Sequence, residues 1–177
     1  MKVVITGHMN GLGLALTNKF TEKKCNVSGY DLLDGKDINN LKVIEEIVKD
    51  CIDADIFVNN AIPNQSLLLT DVFNKWIGKD KTIINISSAI TYLPNVNLPE
   101  SVNDYISQKK MLDEMVHFYR GKSQLPHIMN IRPGWFESNL VKEFNTKKMN
   151  PEDIANMIVM LYDMKDVMKT SDIVLEK

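Results

Sequence analysis

Apolar residues follow two alternating patterns along the chain. Short continuous apolar runs predict buried β-strands, and longer stretches with an apolar residue every three or four positions predict helices that bury one face. The predicted strands are 3–5, 27–30, 56–58, 83–86, 128–131 and 173–175. The predicted helices are 12–20, 41–51, 69–76, about 105–119 and 151–161. This alternation favours a doubly wound parallel sheet of the Rossmann type, with helices on both faces in three α/β/α layers.

The local sequence signals are clear for the last helix and ambiguous for the segment 32–40. The last helix has Asn150 as an N-cap, Pro151 at its first position, and acidic residues that complement the helix dipole. The segment 32–40 is ambiguous, because Asp37 and Ile38 fit only a very short strand and no full helix fits between Asp31 and Asp37.

Composition narrows the class of protein. The 177 residues are 44% hydrophobic and 25% charged, which is typical of one folded domain spanning 1–177. No apolar run approaches the ~20 residues that cross a bilayer, and a net charge of −2 argues against general nucleic-acid binding. Cys25 and Cys51 lie outside any metal-binding spacing, so we expect no metal site and a reduced, cytoplasmic setting.

A glycine-rich segment, Thr6 to Gly13, lies between the first strand and the first helix. Gly7 permits a tight turn, Gly11 lets the backbone approach a diphosphate, and Gly13 allows the helix to pack closely on the strand. The N–H groups at the helix start then face the phosphates. A purely structural turn is the alternative interpretation.

Asp31 follows the second predicted strand, 20 residues after Gly11. This is the spacing of a carboxylate that binds the adenosine ribose hydroxyls of a dinucleotide. Such a carboxylate repels a 2′-phosphate, and no Lys or Arg directly follows Asp31, so NAD is favoured over NADP. A solvated turn aspartate is the alternative, and Asp34 competes for the same assignment.

Tyr105 and Lys109 are four positions apart on a predicted helix and therefore share one face. A lysine ammonium near a phenol lowers the phenol pKa, which suits a general acid or base. Such a pair is common by chance, and alone it indicates no function.

Taken together, these residues resemble the short-chain dehydrogenase/reductases. Five motifs of that family occur in its order between residues 6 and 138. They are the TGxxxGxG loop at 6–13, Asn59-Asn60-Ala61, the serine pair Ser87-Ser88, the YxxxK of Tyr105 and Lys109, and Pro133-Gly134. The resemblance implies an oxidoreductase that transfers hydride between NAD(P) and a carbonyl or alcohol.

The resemblance also implies roles for individual residues. Tyr105 transfers a proton to or from the substrate oxygen, Lys109 lowers the tyrosine pKa and holds the nicotinamide ribose, and Ser88 bonds the substrate, with Ser87 as the alternative. The implied cofactor-binding set is Gly7, Met9, Asn10, Gly11, Leu12, Gly13, Asp31, Asp37, Ile38, Asn59, Asn60, Ala61, Tyr105, Lys109, Pro133, Gly134 and Ser138. Within it, Asp37 meets the adenine, Ser138 bonds the carboxamide, and Asn59 is partly structural.

The chain departs from the family by being short. The segment between Ala61 and Ile83 normally contains a long helix that supplies a catalytic asparagine, and Asn74 is the only candidate in the short helix predicted here. We expect loss of that asparagine to weaken the proton relay from Lys109.

Three functions remain open at this point. The first is an NAD-dependent oxidoreductase acting on a small carbonyl or alcohol. The second is a non-catalytic NAD(P)-binding sensor or scaffold, and the third is a reductase or epimerase for nucleotide-linked sugars. Neither nucleic acid nor membrane is an expected partner. A homodimer is a further expectation, through the YxxxK helix and its apolar residues Met111, Met115, Phe118 and Tyr119.

Overall fold

The computed structural model describes residues 1–92, 102–138, 146–168 and 171–176, and it contains every predicted strand and helix. The strands are β1 (Lys2–Thr6), β2 (Asn26–Tyr30), β3 (Ile56–Asn59), β4 (Thr82–Ile86), β5 (His127–Pro133) and β6 (Asp172–Leu175). The helices are α1 (Gly11–Glu22), α2 (Leu41–Cys51), α3 (Gln65–Trp76), α4 (Asn103–Lys122) and α5 (Pro151–Asp163).

The strands form a single parallel sheet in the order β2-β1-β3-β4-β5-β6. The chain runs outward from β1 to β2 and then returns to the other side of β1, so the order reverses between β1 and β3. Ligands of open parallel sheets bind at such a reversal, outside the carboxyl ends of the strands. We call this end of the sheet the carboxyl edge.

Helices cover both faces of the sheet. The side chains of α2, α3 and α4 pack with those on one face, such as Phe57, and the side chains of α1 and α5 pack with those on the other, such as Val58. Strands buried on both sides must be apolar throughout, which explains their continuous apolar runs. The predicted three-layer Rossmann fold is confirmed.

The ambiguous segment after β2 contains no strand. Asp31 caps a 3₁₀ turn over Leu32–Asp34, and Gly35 ends the turn at a φ of 77°, a left-handed conformation that suits glycine. The Asp37 carboxylate accepts the backbone N–H of Asn39 at 2.9 Å, while Ile38 is buried in the α2 side of the core.

Three asparagines form a row across neighbouring strands on the face of the sheet that α4 covers. Asn59, Asn85 and Asn130 lie opposite one another on β3, β4 and β5, and all three are fully buried. We call them the asparagine row. The amide of Asn59 donates to Asn85 Oδ1 at 2.9 Å, and that of Asn130 donates to Asp113 Oδ1 at 2.8 Å. The row therefore places polar groups beneath the helix that carries Tyr105 and Lys109.

An ionic cluster joins α4 to the last two strands of the sheet, β5 and β6. Arg132 Nε on β5 lies 3.0 Å from the Asp113 carboxylate of α4, and the Arg132 guanidinium also pairs with Asp172 of β6. Arg120 of α4 pairs with the same Asp172. The Arg132 guanidinium stacks 4.5 Å above the ring of Tyr92, so the cluster also holds the chain that follows β4.

No helix in the described part of the chain is long and apolar enough to span a bilayer.

Substitution of Gly13 by alanine tests the packing of α1 on β1. A Cβ at this position would stand 1.9 Å from the Gly7 carbonyl oxygen, whereas one at Gly121 in α4 meets nothing within 4 Å. We expect Gly13→Ala to lower the free energy of unfolding by about 1–3 kcal/mol or more. Gly121→Ala should raise it by at most about 1 kcal/mol. Urea denaturation measures both, and equal stability of the two variants would contradict this packing.

Candidate active site

The glycine-rich loop presents uncovered backbone donors at the carboxyl edge. The first turn of α1 contains no acidic residue, and the N-cap Asn10 makes no capping hydrogen bond with its side chain. Among the described residues, no side chain is recorded as accepting a hydrogen bond from the first N–H groups of α1. Such a helix start, opened by Gly7 and Gly11 at positive φ, is suited to an anionic diphosphate.

Hydrogen bonds join the end of β1 to the loop after β3, at the point where the strand order reverses. The Thr6 hydroxyl oxygen accepts the backbone N–H groups of Asn60 and Ala61, each at 3.0 Å. The Asn60 amide donates to the Thr6 carbonyl at 3.0 Å. The loop after β3 is therefore held against the glycine-rich loop.

The segment after β5 passes over the same loop. A Cβ added at Gly11 would stand 3.6 Å from Cβ of Ser138 and 4.0 Å from the Phe136 ring. Gly134, directly after β5, donates its N–H to the carbonyl of Leu175 at 2.7 Å. Ser138 is thereby brought beside the start of α1, whereas Pro133 and Gly134 lie at the carboxyl end of β5, next to β6.

Asp31 is engaged by the backbone in this structure. Its carboxylate accepts the N–H of Met9 at 3.0 Å and the N–H of Leu33 at 3.0 Å, so it ties the glycine-rich loop to the turn after β2. Each carboxylate oxygen has a second lone pair for a hydroxyl donor. Asp34 accepts the N–H of Asp31 at 3.1 Å and lies 3.9 Å from the His8 ring.

Ser88, Tyr105 and Lys109 come together where β4 ends and α4 begins. The Ser88 hydroxyl lies near enough to the Tyr105 phenol to lower the pKa of that phenol. Nζ of Lys109 lies 5.5 Å from the centre of the Tyr105 ring. Ser88 also accepts the N–H of Ile90 at 3.4 Å, which orients its hydroxyl. The Ser87 side chain, in contrast, is buried, and its hydroxyl has no partner within the described residues.

Burial changes the acid–base properties of this group. Burial lowers the pKa of Lys109 from its ordinary 10.5 to about 7, although the more distant Asp113 carboxylate opposes the change. The lowered tyrosine pKa expected from the Tyr105–Lys109 spacing is not found: burial raises the pKa of Tyr105, and hydrogen bonding by Ser88 opposes that change. The phenol is therefore held protonated, as a proton donor must be.

Gln65, the first residue of α3, lies beneath this group and has no counterpart among the residues predicted from sequence. Its Oε1 accepts a hydrogen bond from Lys109 Nζ at 2.6 Å. The same ammonium donates to the Ile86 carbonyl at 2.6 Å. Asn74, the sequence-based candidate for the missing asparagine, is exposed in the last part of α3.

Asn59 lies inside the sheet, where its amide is used internally. It is fully buried and donates to the carbonyl of Gln65 at 2.8 Å as well as to Asn85. This geometry agrees with a structural role. A contact of Asn59 with a cofactor stays a prediction.

Comparisons with known proteins give the fold. No family model and no curated protein matches the sequence. Among solved structures, a short-chain dehydrogenase from Burkholderia cenocepacia J2315 in complex with NADP has a TM-score of 0.77 and 14% identity, covering 99% of this chain and 88% of that one. A 3-ketoacyl-(acyl-carrier-protein) reductase from Brucella melitensis complexed with NADH has a TM-score of 0.73 and 18% identity, covering 98% and 95%.

The chain therefore has the fold of the short-chain dehydrogenase/reductases, and the resemblance predicted from its motifs is confirmed at the level of the fold. Another similar structure, the alcohol dehydrogenase from Thermococcus sibiricus, is complexed with 5-hydroxy-NADP (TM-score 0.74, 15% identity, covering 98% and 95%). Solved structures of this fold thus include complexes with NADP and with NADH.

The buried lysine predicts a pH-dependent stability. Below pH 7, Lys109 is protonated in both the folded and the unfolded chain, and its burial penalty is fully present. Between pH 7 and about 10.5 the unfolded chain binds a proton that the folded chain lacks, so the penalty is relieved as pH rises. In the wild type, the free energy of unfolding should therefore rise by roughly 1 kcal/mol per pH unit between pH 7 and 9. We expect Lys109→Met to abolish this rise. Lys110→Met, at an exposed neighbouring position, should retain it.

Urea denaturation at several pH values measures this difference. An identical pH dependence in the wild-type and Lys109→Met proteins would show that Lys109 is not buried as a titrating group.

Proposed function

We propose that this protein is an NAD-dependent oxidoreductase that interconverts a carbonyl and an alcohol. The observation that carries the proposal is the group formed by Ser88, Tyr105 and Lys109. The serine hydroxyl lies near enough to the phenol to lower the pKa of Tyr105, and the Lys109 ammonium lies 5.5 Å from the centre of the phenol ring. The group lies at the same edge of the sheet as a helix start suited to a diphosphate.

The cofactor site is assigned from the residues that border the carboxyl edge. The glycine-rich loop from Gly7 to Gly13, including Met9, Asn10 and Leu12, would hold the diphosphate. Asp31 would accept the adenosine ribose hydroxyls, and Asp37 with Ile38 would border the adenine. Asn60, Ala61, Pro133, Gly134 and Ser138 would border the nicotinamide half, and bound NADH would supply the hydride.

Ser88, Tyr105 and Lys109 would supply the proton that the substrate oxygen gains on reduction. The Ser88 hydroxyl donates a hydrogen bond to the carbonyl oxygen of the substrate and polarises it. As that oxygen gains negative charge, the Tyr105 O–H bond breaks and its proton forms the new alcohol O–H bond. The Lys109 ammonium stabilises the resulting phenolate. In the oxidative direction each transfer runs in reverse.

The preference for NAD rests on Asp31. Its carboxylate stands at the end of β2, where a 2′-phosphate of NADP would meet a like charge. No salt bridge of Asp31 with a lysine or arginine is found in the described part of the chain.

Binding of NADH and NADPH tests the cofactor assignment. We expect calorimetry to show saturable NADH binding and NADPH binding at least tenfold weaker, because 1.4 kcal/mol of repulsion corresponds to about a factor of ten. Asp31→Asn should reduce the ratio of NADH affinity to NADPH affinity, and Asp34→Asn should leave that ratio unchanged. A preference that disappears in Asp34→Asn alone would reassign the ribose contact to Asp34.

Turnover tests the acid–base assignment. We expect Tyr105→Phe to lower kcat for reduction of small aldehydes and ketones by about 10²-fold or more, because it removes the side chain that transfers the proton to the reacting oxygen. NADH affinity should stay within a few-fold. Tyr162→Phe is the matched control, since that hydroxyl lies on α5 and contacts Met1.

An unchanged rate in Tyr105→Phe would refute the assignment. NADH binding without wild-type turnover on any carbonyl tested would favour the alternative, a non-catalytic NAD(P)-binding sensor or scaffold.

A further inference from the structure

We propose that Gln65 is a positioning residue that keeps Lys109 protonated and directed at Tyr105. The proposal extends the function proposed above, but its central claim concerns only the protonation of one lysine. It can therefore be tested without substrate or cofactor.

The first support is the coordination of the ammonium. Lys109 Nζ donates to Gln65 Oε1 and to the Ile86 carbonyl, each at 2.6 Å. Among the described residues, no carboxylate lies within salt-bridge distance of Lys109, and Asp113 acts on it only from farther away. Two neutral oxygens thus stabilise a fully buried charge, and Gln65 supplies the only side-chain oxygen of the two.

The second support is that the Gln65 side-chain amide cannot flip, exchanging its oxygen and nitrogen, without losing hydrogen bonds. Its Nε2 donates to the Asn59 carbonyl at 2.6 Å and to the Ile86 carbonyl at 3.1 Å. A flipped amide would face those two carbonyls with its oxygen and the ammonium with its NH₂. Every polar atom of the amide is satisfied in one orientation only, so Oε1 is held as the acceptor for Lys109.

The third support is the way in which α3 begins. Gln65 is the first residue of this helix, after Asn64 in a left-handed conformation, and the Asn64 amide donates to the Ile38 carbonyl at 2.9 Å. The Gln65 carbonyl in turn accepts the Asn59 amide at 2.8 Å. Both the backbone and the side chain of Gln65 are thus fixed beneath α4.

The expected consequence is a change in proton affinity. Without the Gln65 oxygen, the buried ammonium loses one of its two acceptors, and Lys109 releases its proton at lower pH. A neutral Lys109 no longer stabilises the negative charge that forms on Tyr105 when its proton is transferred. A carboxylate at position 65 has the opposite effect on Lys109, because it adds an opposite charge beside the ammonium.

The experiment is an NMR titration of protein labelled with ¹³C-lysine, with the Lys109 Cε resonance assigned from the Lys109→Met spectrum. We expect Gln65→Leu to move the Lys109 midpoint down by about one pH unit, and Gln65→Glu to move it up by about one unit or more. Asn74→Leu is the matched control, because that amide is exposed on the same helix. It should leave the midpoint unchanged.

A Lys109 midpoint that is the same in wild type, Gln65→Leu and Gln65→Glu would overturn the proposal. If Gln65→Leu fails to fold, Gln65→Met decides alone, since it keeps the length of the side chain and removes the oxygen acceptor. Absence of turnover in the wild type would refute the proposed function but would leave the titration result standing.

Kinetics provide a readout that a purely structural role would not move. If wild-type protein reduces a carbonyl, we expect the basic limb of the kcat profile, where Lys109 loses its proton, to shift to lower pH in Gln65→Leu, with most of the rate recovered at its plateau. A lowered plateau with an unshifted limb would indicate damaged structure and would overturn the positioning role.

Discussion

The burial of one lysine ammonium constrains much of the structure around the candidate site. A charge removed from water needs hydrogen-bond acceptors, and Lys109 finds them in the carbonyl of Ile86 and the amide of Gln65. Gln65 must in turn satisfy its own NH₂ group, which it does on the ends of β3 and β4. The carboxyl ends of two strands and the start of α3 are therefore fixed relative to the YxxxK helix by one charge.

The asparagine row extends this polar layer across the sheet. Asn59 donates to Gln65 and Asn85, and Asn130 separately donates to the carboxylates of Asp113 and Asp172. Among the described residues, Asn85 Nδ2 and Asn130 Oδ1 have no partner. Hydrogen-bonded polar groups in a core contribute less to stability than apolar packing, but their geometry admits few alternatives. Lys109 and Asp113 connect this layer to α4, the helix that carries Tyr105.

Much of the fold could be predicted because its determinants are local. Continuous apolar runs and helical periodicity identify strands and helices within a few residues, and the alternation of the two leads to a parallel sheet. The segment 32–40 resisted prediction for a physical reason. Asp31 and Asp34 form a capping box around a single 3₁₀ turn, and that interaction competes with any regular element.

The sequence by itself determined the elements, the layer architecture, and the motif order by which Ser88, Tyr105 and Lys109 could be named. Only the tertiary structure decided what surrounds them. Gln65 stands 44 positions before Lys109 and has no spacing that marks it, yet parallel strands bring both to one edge of the sheet. Exposed Asn74 and buried Gln65 carry the same amide group on the same helix. Burial beside an ammonium distinguishes them, and burial arises only when separate elements pack together.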